Sequence, residues 1–245
     1  MIIKIRSIKT RLFIPHEKLI PFLELYFKRV VEKDVLVVTS KIVALAEGRI
    51  IEHWNKKIKE KTIRSESEIM IPAKHICLTV KDGMVMASAG IDESNAAGCL
   101  ILLPKDSWKI AEVIRRHFLK KFKLKKLGVI ITDSRNAPFR SGVTGVAIAY
   151  SGFRGLKDYR KSLDIFGRPF HFSRVDVADS LATAAVLGMG EGNERRPLAI
   201  ISGSDIEFVN KVDRRELRID VADDMYGPLF QHVRKKSFNK DKRLN

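Results

Sequence analysis

The sequence predicts a mixed α/β fold, with irregular mixed sheets and flanking helices. Short runs of β-branched residues, bounded by Gly, Pro, Asp or Ser, have the character of strands. Longer segments repeat apolar residues at helical spacing. The two kinds of segment alternate without a regular β-α-β rhythm, which favours mixed sheets over a doubly wound array. With 245 residues, 45% of them hydrophobic and 31% charged, the chain has a globular composition and ample surface for a core.

In chain order the strand-like runs are Met1–Ile8, Val35–Thr39, Ile76–Val80, Cys99–Leu103, Gly128–Thr132, Gly145–Tyr150 and Leu198–Ser202. Helical patterns cover Glu17–Val31, Ser40–Glu47, Ser107–Lys125 and Val177–Gly188. In the third of these, Ile110, Ile114, Phe118 and Phe122 recur every four residues, and Asp106 or Ser107 can cap the start. Residues 133–176 carry Gly, Pro and polar side chains and predict a long irregular region, a type of segment that often bears function. No repeat or low-complexity linker divides the chain. Residues 1–233 are therefore expected to form one unit, with two subdomains as its finest division, followed by a basic tail over 234–245.

Several classes are excluded at this level. Cys77 and Cys99 are too few for a disulfide scaffold and lack metal-ligand spacing, which suits a reducing, cytoplasmic setting. The first residues have no signal-peptide core, and no apolar stretch approaches the roughly 20 residues of a membrane helix. The six histidines are scattered, without H-E-x-x-H spacing. The net charge is +17, and twelve of those charges come from 115–126 and 234–245. Such a charge favours anionic ligands. In the helix, the basic side chains are expected on the solvent face. Aromatic interleaving is missing, so nucleic acid is not the expected partner.

Four constellations can carry chemistry. Ser40-Lys41 follows the apolar run Val35–Thr39 at a helix start, where backbone N–H groups and a lysine attract phosphate; ordinary capping suits the same residues. No Walker loop and no G-x-G-x-x-G is present, so a nucleotide would be held in another way. Asp92-Glu93-Ser94-Asn95 offers oxygen ligands to a hard cation, or an Asx-type turn. Asp133-Ser134 ends the strand Gly128–Thr132, where ligands of α/β proteins gather. Beyond it, Arg135, Arg140, Gly142 and Gly145 suit phosphate compensation or tight turns. Finally Gly188 to Pro197 alternates glycines after a small-residue helix and carries Glu191, a third carboxylate.

Taken together and in order, these motifs resemble the coenzyme F420-0:L-glutamate ligase family. The resemblance runs through Thr39-Ser40-Lys41, Ala46-Glu47-Gly48-Arg49, Gly90 to Asn95, Ile131 to Ser134, Arg140 to Ile148, Asp158-Tyr159-Arg160, Asp164 to Pro169, Val177-Ala178-Asp179 and Met189-Gly190-Glu191. It covers the chain to about Gly203 and is most specific from Ile131 to Gly190. It implies an α/β, homodimeric, GTP-dependent carboxylate–amine ligase that uses Mn²⁺ or Mg²⁺, with K⁺ as an additional ion. By position it implies metal ligands at Asp92, Asp133, Ser134 and Glu191. It implies GTP contacts at Arg11, Leu12, Phe13, Ile14, Ser40, Lys41 and Asn95, and at Met189, Gly190, Gly192, Asn193, Glu194, Arg195 and Arg196.

Three departures from the family pattern stand out. Leu45 replaces a lysine, Thr10–Ile14 replaces Gly-Leu-Pro-Leu-Ile, and Ser134–Arg140 replaces Thr-Phe-Gly-Arg-Pro-Trp-Arg. The acceptor side has thus changed more than the metal side. The implied substrates are L-glutamate and a phosphorylated deazaflavin-type acceptor. Phosphoryl transfer from GTP would turn the acceptor carboxylate into an acyl phosphate, which the glutamate amine attacks. Asp133, Lys41 and Arg140 are the expected catalytic residues, the two cations neutralising phosphate oxygens. The alternatives are a related ligase with another carboxylate acceptor and a basic RNA- or anion-binding protein.

Overall fold

The computed structural model describes residues 2–74, 76–160 and 162–230; the predicted basic tail, 234–245, lies outside them. In chain order the elements are β1 (Lys4–Ile8), α1 (Leu19–Tyr26), β2 (Val35–Thr39), α2 (Ser40–Ala46), β3 (Ile50–Ile51), α3 (Lys56–Glu66), β4 (Ile69–Pro72), β5 (Cys77–Lys81) and β6 (Met84–Ala87). A 3₁₀ turn at Ser88–Gly90 follows. The chain continues through β7 (Leu100–Ile101), α4 (Ser107–Phe122), β8 (Gly128–Arg135), β9 (Thr144–Ser151), β10 (Leu156–Asp158), β11 (Arg174–Asp176), α5 (Val177–Met189) and β12 (Leu198–Ser202). The fold is mixed α/β, as the sequence predicts.

Two compact units divide the chain. Among the described residues, the first joins the chain up to Ile50 to Ile101–Glu216, and the second joins Ile51–Leu100 to the chain from Leu217 to Phe230. The first unit holds a five-stranded sheet of order β1-β12-β2-β8-β9. Its one parallel pair is β2 with β8; the other pairs are antiparallel. Val35–Val38 and Val129–Ile131 are fully buried at consecutive positions, so both faces of these strands are covered. One cover is α5, packed on β9, β1 and β12; the other is the group α4, α2 and α1. Phe27 meets Phe118 edge-on at 5.5 Å, and Tyr150 packs between Trp108 and Phe153.

The second unit is built on the antiparallel sheet β4-β5-β6. Asn55 caps α3 by accepting the Ile58 N–H at 3.0 Å. The α3 sequence KKIKEKTIRSE has few apolar positions, and only Ile63 is buried, so periodicity gives little sign of this helix.

Several expectations need correction. The first helix ends at Tyr26 rather than Val31, because Phe27 leaves helical geometry at ψ 67° and the Lys28 N–H turns back to the Tyr26 carbonyl at 3.0 Å. The third ends at Phe122, where Lys123 turns left-handed at φ 54°. The region 133–176 is more regular than predicted. β8 runs on to Arg135 and pairs with β9, and β10 pairs with β11. Nor do all the basic residues of the third helix face solvent. Arg115 is 4% exposed. It donates to the Leu127 carbonyl at 3.0 Å and to Asn210 Oδ1 at 3.2 Å, with Glu112 at 3.8 Å. Burial is the main cause that lowers its pKa, and the charge is kept by these partners.

Asp176 caps α5 by accepting the Asp179 N–H at 2.8 Å. Burial pushes its carboxyl up to about 6. The native state then binds this proton more tightly than the unfolded chain. The charged cap therefore costs stability as pH rises from about 4 to about 6, and keeps that cost above. Asp176→Asn retains a capping acceptor without the charge. In urea titrations across this range, its stability relative to wild type should rise with pH and level off above the native pKa. A difference independent of pH would refute the shift.

Candidate functional site

The register of the sheet gathers the predicted residues of the first unit at one edge. In the parallel pair, Thr39 of β2 lies opposite Thr132 of β8, so both carboxyl ends leave the sheet on the same side. β12 runs antiparallel to β2 and starts there, with Leu198 opposite Val38. β1 ends there, with Ile8 opposite Leu198. β9 begins there, with Gly145 opposite Ser134.

Ser40 and Lys41 open α2 directly after β2, and Asp133 and Ser134 lie beyond Thr132 on β8. The Ser40 hydroxyl donates to Asp133 Oδ1 at 3.2 Å. The Ser134 hydroxyl donates to Glu191 Oε1 at 2.6 Å. Ser40 is buried, Lys41, Asp133 and Ser134 are half-buried, and Glu191 is exposed. Glu191 arrives from α5, which closes on β9 over Gly145. A Cβ at Gly145 would lie 2.6 Å from Val186 Cβ and 2.7 Å from the Ala182 carbonyl oxygen. Past Met189 the chain turns at Gly190, with φ 83°.

The two loops predicted to hold the nucleotide meet at this edge. The Thr10 N–H donates to the Arg195 carbonyl at 2.9 Å, and the Thr39 N–H to the Pro197 carbonyl at 3.0 Å. Arg11 pairs with Glu17 and lies over the Phe22 ring at 5.1 Å. This guanidinium holds the Glu17 carboxyl below its usual range. Phe13 packs edge-on against Phe22 at 4.8 Å, while Leu12 and Ile14 are exposed. In the other loop, Glu194 folds back over Gly190 and accepts the Gly192 N–H at 2.8 Å. Arg196 reaches the Gly188 carbonyl at 3.5 Å. Met189 is buried, and Asn193 and Arg195 are exposed.

Three candidates remain. Arg140 is exposed in the β8–β9 connection, beside the fully exposed Phe139. Asp92 and Asn95 belong to the second unit. Asp92 Oδ1 accepts the Ser94 N–H at 2.7 Å, the Asx-type turn that the sequence left open. Glu93 pairs with Lys59. Among the described residues no three His, Cys, Asp or Glu side chains form a group suited to a metal ion. The first unit thus brings together Asp133, Ser134 and Glu191 with Ser40, by hydrogen bonds rather than as a three-acid cluster.

Sequence reasoning missed two supporting acids. Glu17 anchors Arg11 from six residues away, a spacing with no periodic signature. Asp179 pairs with Arg135 at 3.2 Å and accepts the Ala147 N–H at 2.9 Å. Its position three residues after the capping Asp176 is a readable helix-start signal, but its partner on β8 is not.

A sheet edge bearing paired hydroxyl and carboxylate groups, flanked by two converging loops, defines an α/β protein with a polar sheet edge. Comparison with known proteins places it more closely. The family model for F420-0:gamma-glutamyl ligase matches residues 7–203, and the chain belongs to that family of ligases. Coenzyme F420:L-glutamate ligase of Methanocaldococcus jannaschii is 35% identical over 203 residues, covering 76% of this chain and 81% of that protein. The protein of the same name from Methanopyrus kandleri is 38% identical over 191 residues, covering 70% and 75%. That from Archaeoglobus fulgidus is 36% identical over 191 residues, covering 71% and 76%. No helix among the described residues is long and apolar enough to cross a membrane.

The loop around Glu194 generates a structural prediction. Glu194→Ala removes the acceptor of the Gly192 N–H, so hydrogen exchange at Gly192 should accelerate while exchange in β12 stays slow. Unchanged protection at Gly192 would show that another group holds the loop.

Proposed function

We propose that this protein joins L-glutamate to the carboxylate of coenzyme F420-0, using GTP and a divalent cation, as a cytoplasmic homodimer. The observation that carries this reading is the meeting of Ser40, Asp133, Ser134 and Glu191 at the edge where the 10–14 and 189–196 loops converge. Family membership and the names of the relatives supply the reaction class.

The chemistry follows from leaving groups. A carboxylate resists an amine because oxide would have to depart. Moving the γ-phosphoryl of GTP onto a carboxylate oxygen releases GDP and makes an acyl phosphate. The glutamate nitrogen then attacks the acyl carbon, the bond to phosphate breaks, and phosphate leaves while the nitrogen loses a proton. Such transfers depend on positioning and charge neutralisation. Lys41, at the start of α2, and Arg140 would supply positive charge to phosphate oxygens. Ser40 would hold Asp133 in place through its hydrogen bond.

Asp133, Ser134 and Glu191 present only oxygen atoms, the donor set that hard cations take. These residues would hold Mn²⁺ or Mg²⁺, which supplies charge neutralisation to the phosphates when bound. The homodimer reading draws support from the arm that β10 and β11 begin. The turn around Asp164 fixes its tip, where Asp164 Oδ1 accepts the Phe166 and Arg168 N–H groups at 2.8 Å. Leu163, Ile165, Phe166 and Phe172 stand exposed on this arm, more apolar surface than a lone exposed residue presents.

The RNA-binding alternative loses ground. In the basic helix Arg115 is buried, Arg116 pairs with Glu112, and Lys121 pairs with Glu24. A related ligase with another carboxylate acceptor is the second reading, favoured by the exposed Phe139-Arg140 tip.

The decisive experiment incubates the protein with GTP, Mn²⁺, L-glutamate and F420-0. GDP together with an acceptor heavier by one glutamyl residue is the expected result. Transfer to other carboxylates but not F420-0 would favour the second reading, and no GDP with any acceptor would refute both. Asp133→Ala should abolish metal-dependent GDP formation while the thermal transition remains cooperative. Retained turnover would remove Asp133 from the site.

A further inference from the structure

Resting on the ligase reading, we propose that Arg135 binds an anionic group of a substrate other than the nucleotide: a carboxylate or phosphate of L-glutamate or of the acceptor. Arg135 closes β8, directly after Asp133 and Ser134 and opposite Thr144 of β9. The sheet order β1-β12-β2-β8-β9 separates two sides of the edge. The 10–14 and 189–196 loops adjoin β1, β12 and β2, and the second also reaches β8 through Glu191 and Ser134. Arg135 lies two residues beyond Asp133 along β8, and both pair with β9. A group held there lies directly beside Asp133 and Ser134, on the strand between β2 and β9.

The guanidinium is anchored and yet open. Its side chain is 48% exposed, and it meets Asp179 Oδ2 through one terminal nitrogen at 3.2 Å. Asp179 itself is fixed. Its other oxygen accepts the Ala147 N–H at 2.9 Å, and its own N–H donates to the capping Asp176 at 2.8 Å. An arginine carries five N–H donors in a rigid fork, and one contact with Asp179 leaves most of them for a further partner. As a tie between β8 and α5 alone, a half-exposed pair contributes little stability. As a fork pre-positioned by Asp179, it matches an oxyanion with two parallel hydrogen bonds.

The test uses the whole 245-residue chain. Calorimetric titrations with L-glutamate and with F420-0, each without GTP or metal, are paired with steady-state kinetics in which each substrate is varied in turn. In Arg135→Gln, Kd and KM for one of these two substrates should rise about ten- to a hundredfold, while KM for GTP stays about constant. The substrate affected identifies the source of the anion. Arg135→Lys should recover part of the affinity and serves where the glutamine variant does not fold. Asp179→Asn should raise the same constant by a smaller factor, because it loosens the fork without removing it. Unchanged affinity for both substrates, or a rise confined to GTP, overturns the assignment. If wild type cleaves no GTP, the ligase reading fails on its own, and the calorimetric titrations still decide the role of Arg135.

Discussion

The parallel pairing of β2 with β8 is the constraint on which the site depends. In an otherwise antiparallel sheet, this one pair sends two chain ends out of the same edge. The register that sets Thr39 opposite Thr132 also sets Ser40 beside Asp133, so the polar contact is a by-product of backbone hydrogen bonding. A slip of one residue would turn Asp133 to the other face. Both strands are buried on both faces, and their Val- and Ile-rich sequences make such a slip costly.

The connection between these parallel strands is long. It contains α2, the whole 51–100 segment of the second unit, and α4. Parallel strands always need a crossover. Here the crossover carries a sheet of its own, built from β4, β5 and β6. Backbone strain in that segment is concentrated before and after Asp92, where Ser88, Ala89, Asn95 and Ala97 all have positive φ. Strained, non-glycine conformations of this kind mark segments whose geometry matters more than their local stability.

Much of this was legible in the residues. β2 and β12 fall where the β-branched runs end, and α5 within one residue of its expected stop. The short strands β3, β4, β6, β10 and β11 were not legible, because two to four residues cannot display a period. For the site, motif order singled out Ser40, Asp133, Ser134 and Glu191, but not who bonds to whom. Ser40 and Asp133 lie 93 positions apart, and Ser134 and Glu191 lie 57 apart. Such pairs are a property of register, which no local pattern encodes. Arg115 is the instructive error. It sits in a strongly basic stretch, yet the Leu127 carbonyl and Asn210 draw it inward, and composition alone cannot tell a solvated arginine from a satisfied buried one.

The 93-position gap has a consequence for how the protein is made. On the ribosome, at about 5 to 20 residues per second, β2 would wait roughly 5 to 20 seconds before β8 emerges. β1 waits longer, since among the described residues its sheet partner is β12, near the far end of the sheet-forming sequence. Through that interval the Val35–Val38 run is an unpaired apolar edge on a nascent chain. β12 arrives last and fills the place between β1 and β2, so the five-stranded sheet cannot be completed before it is synthesised.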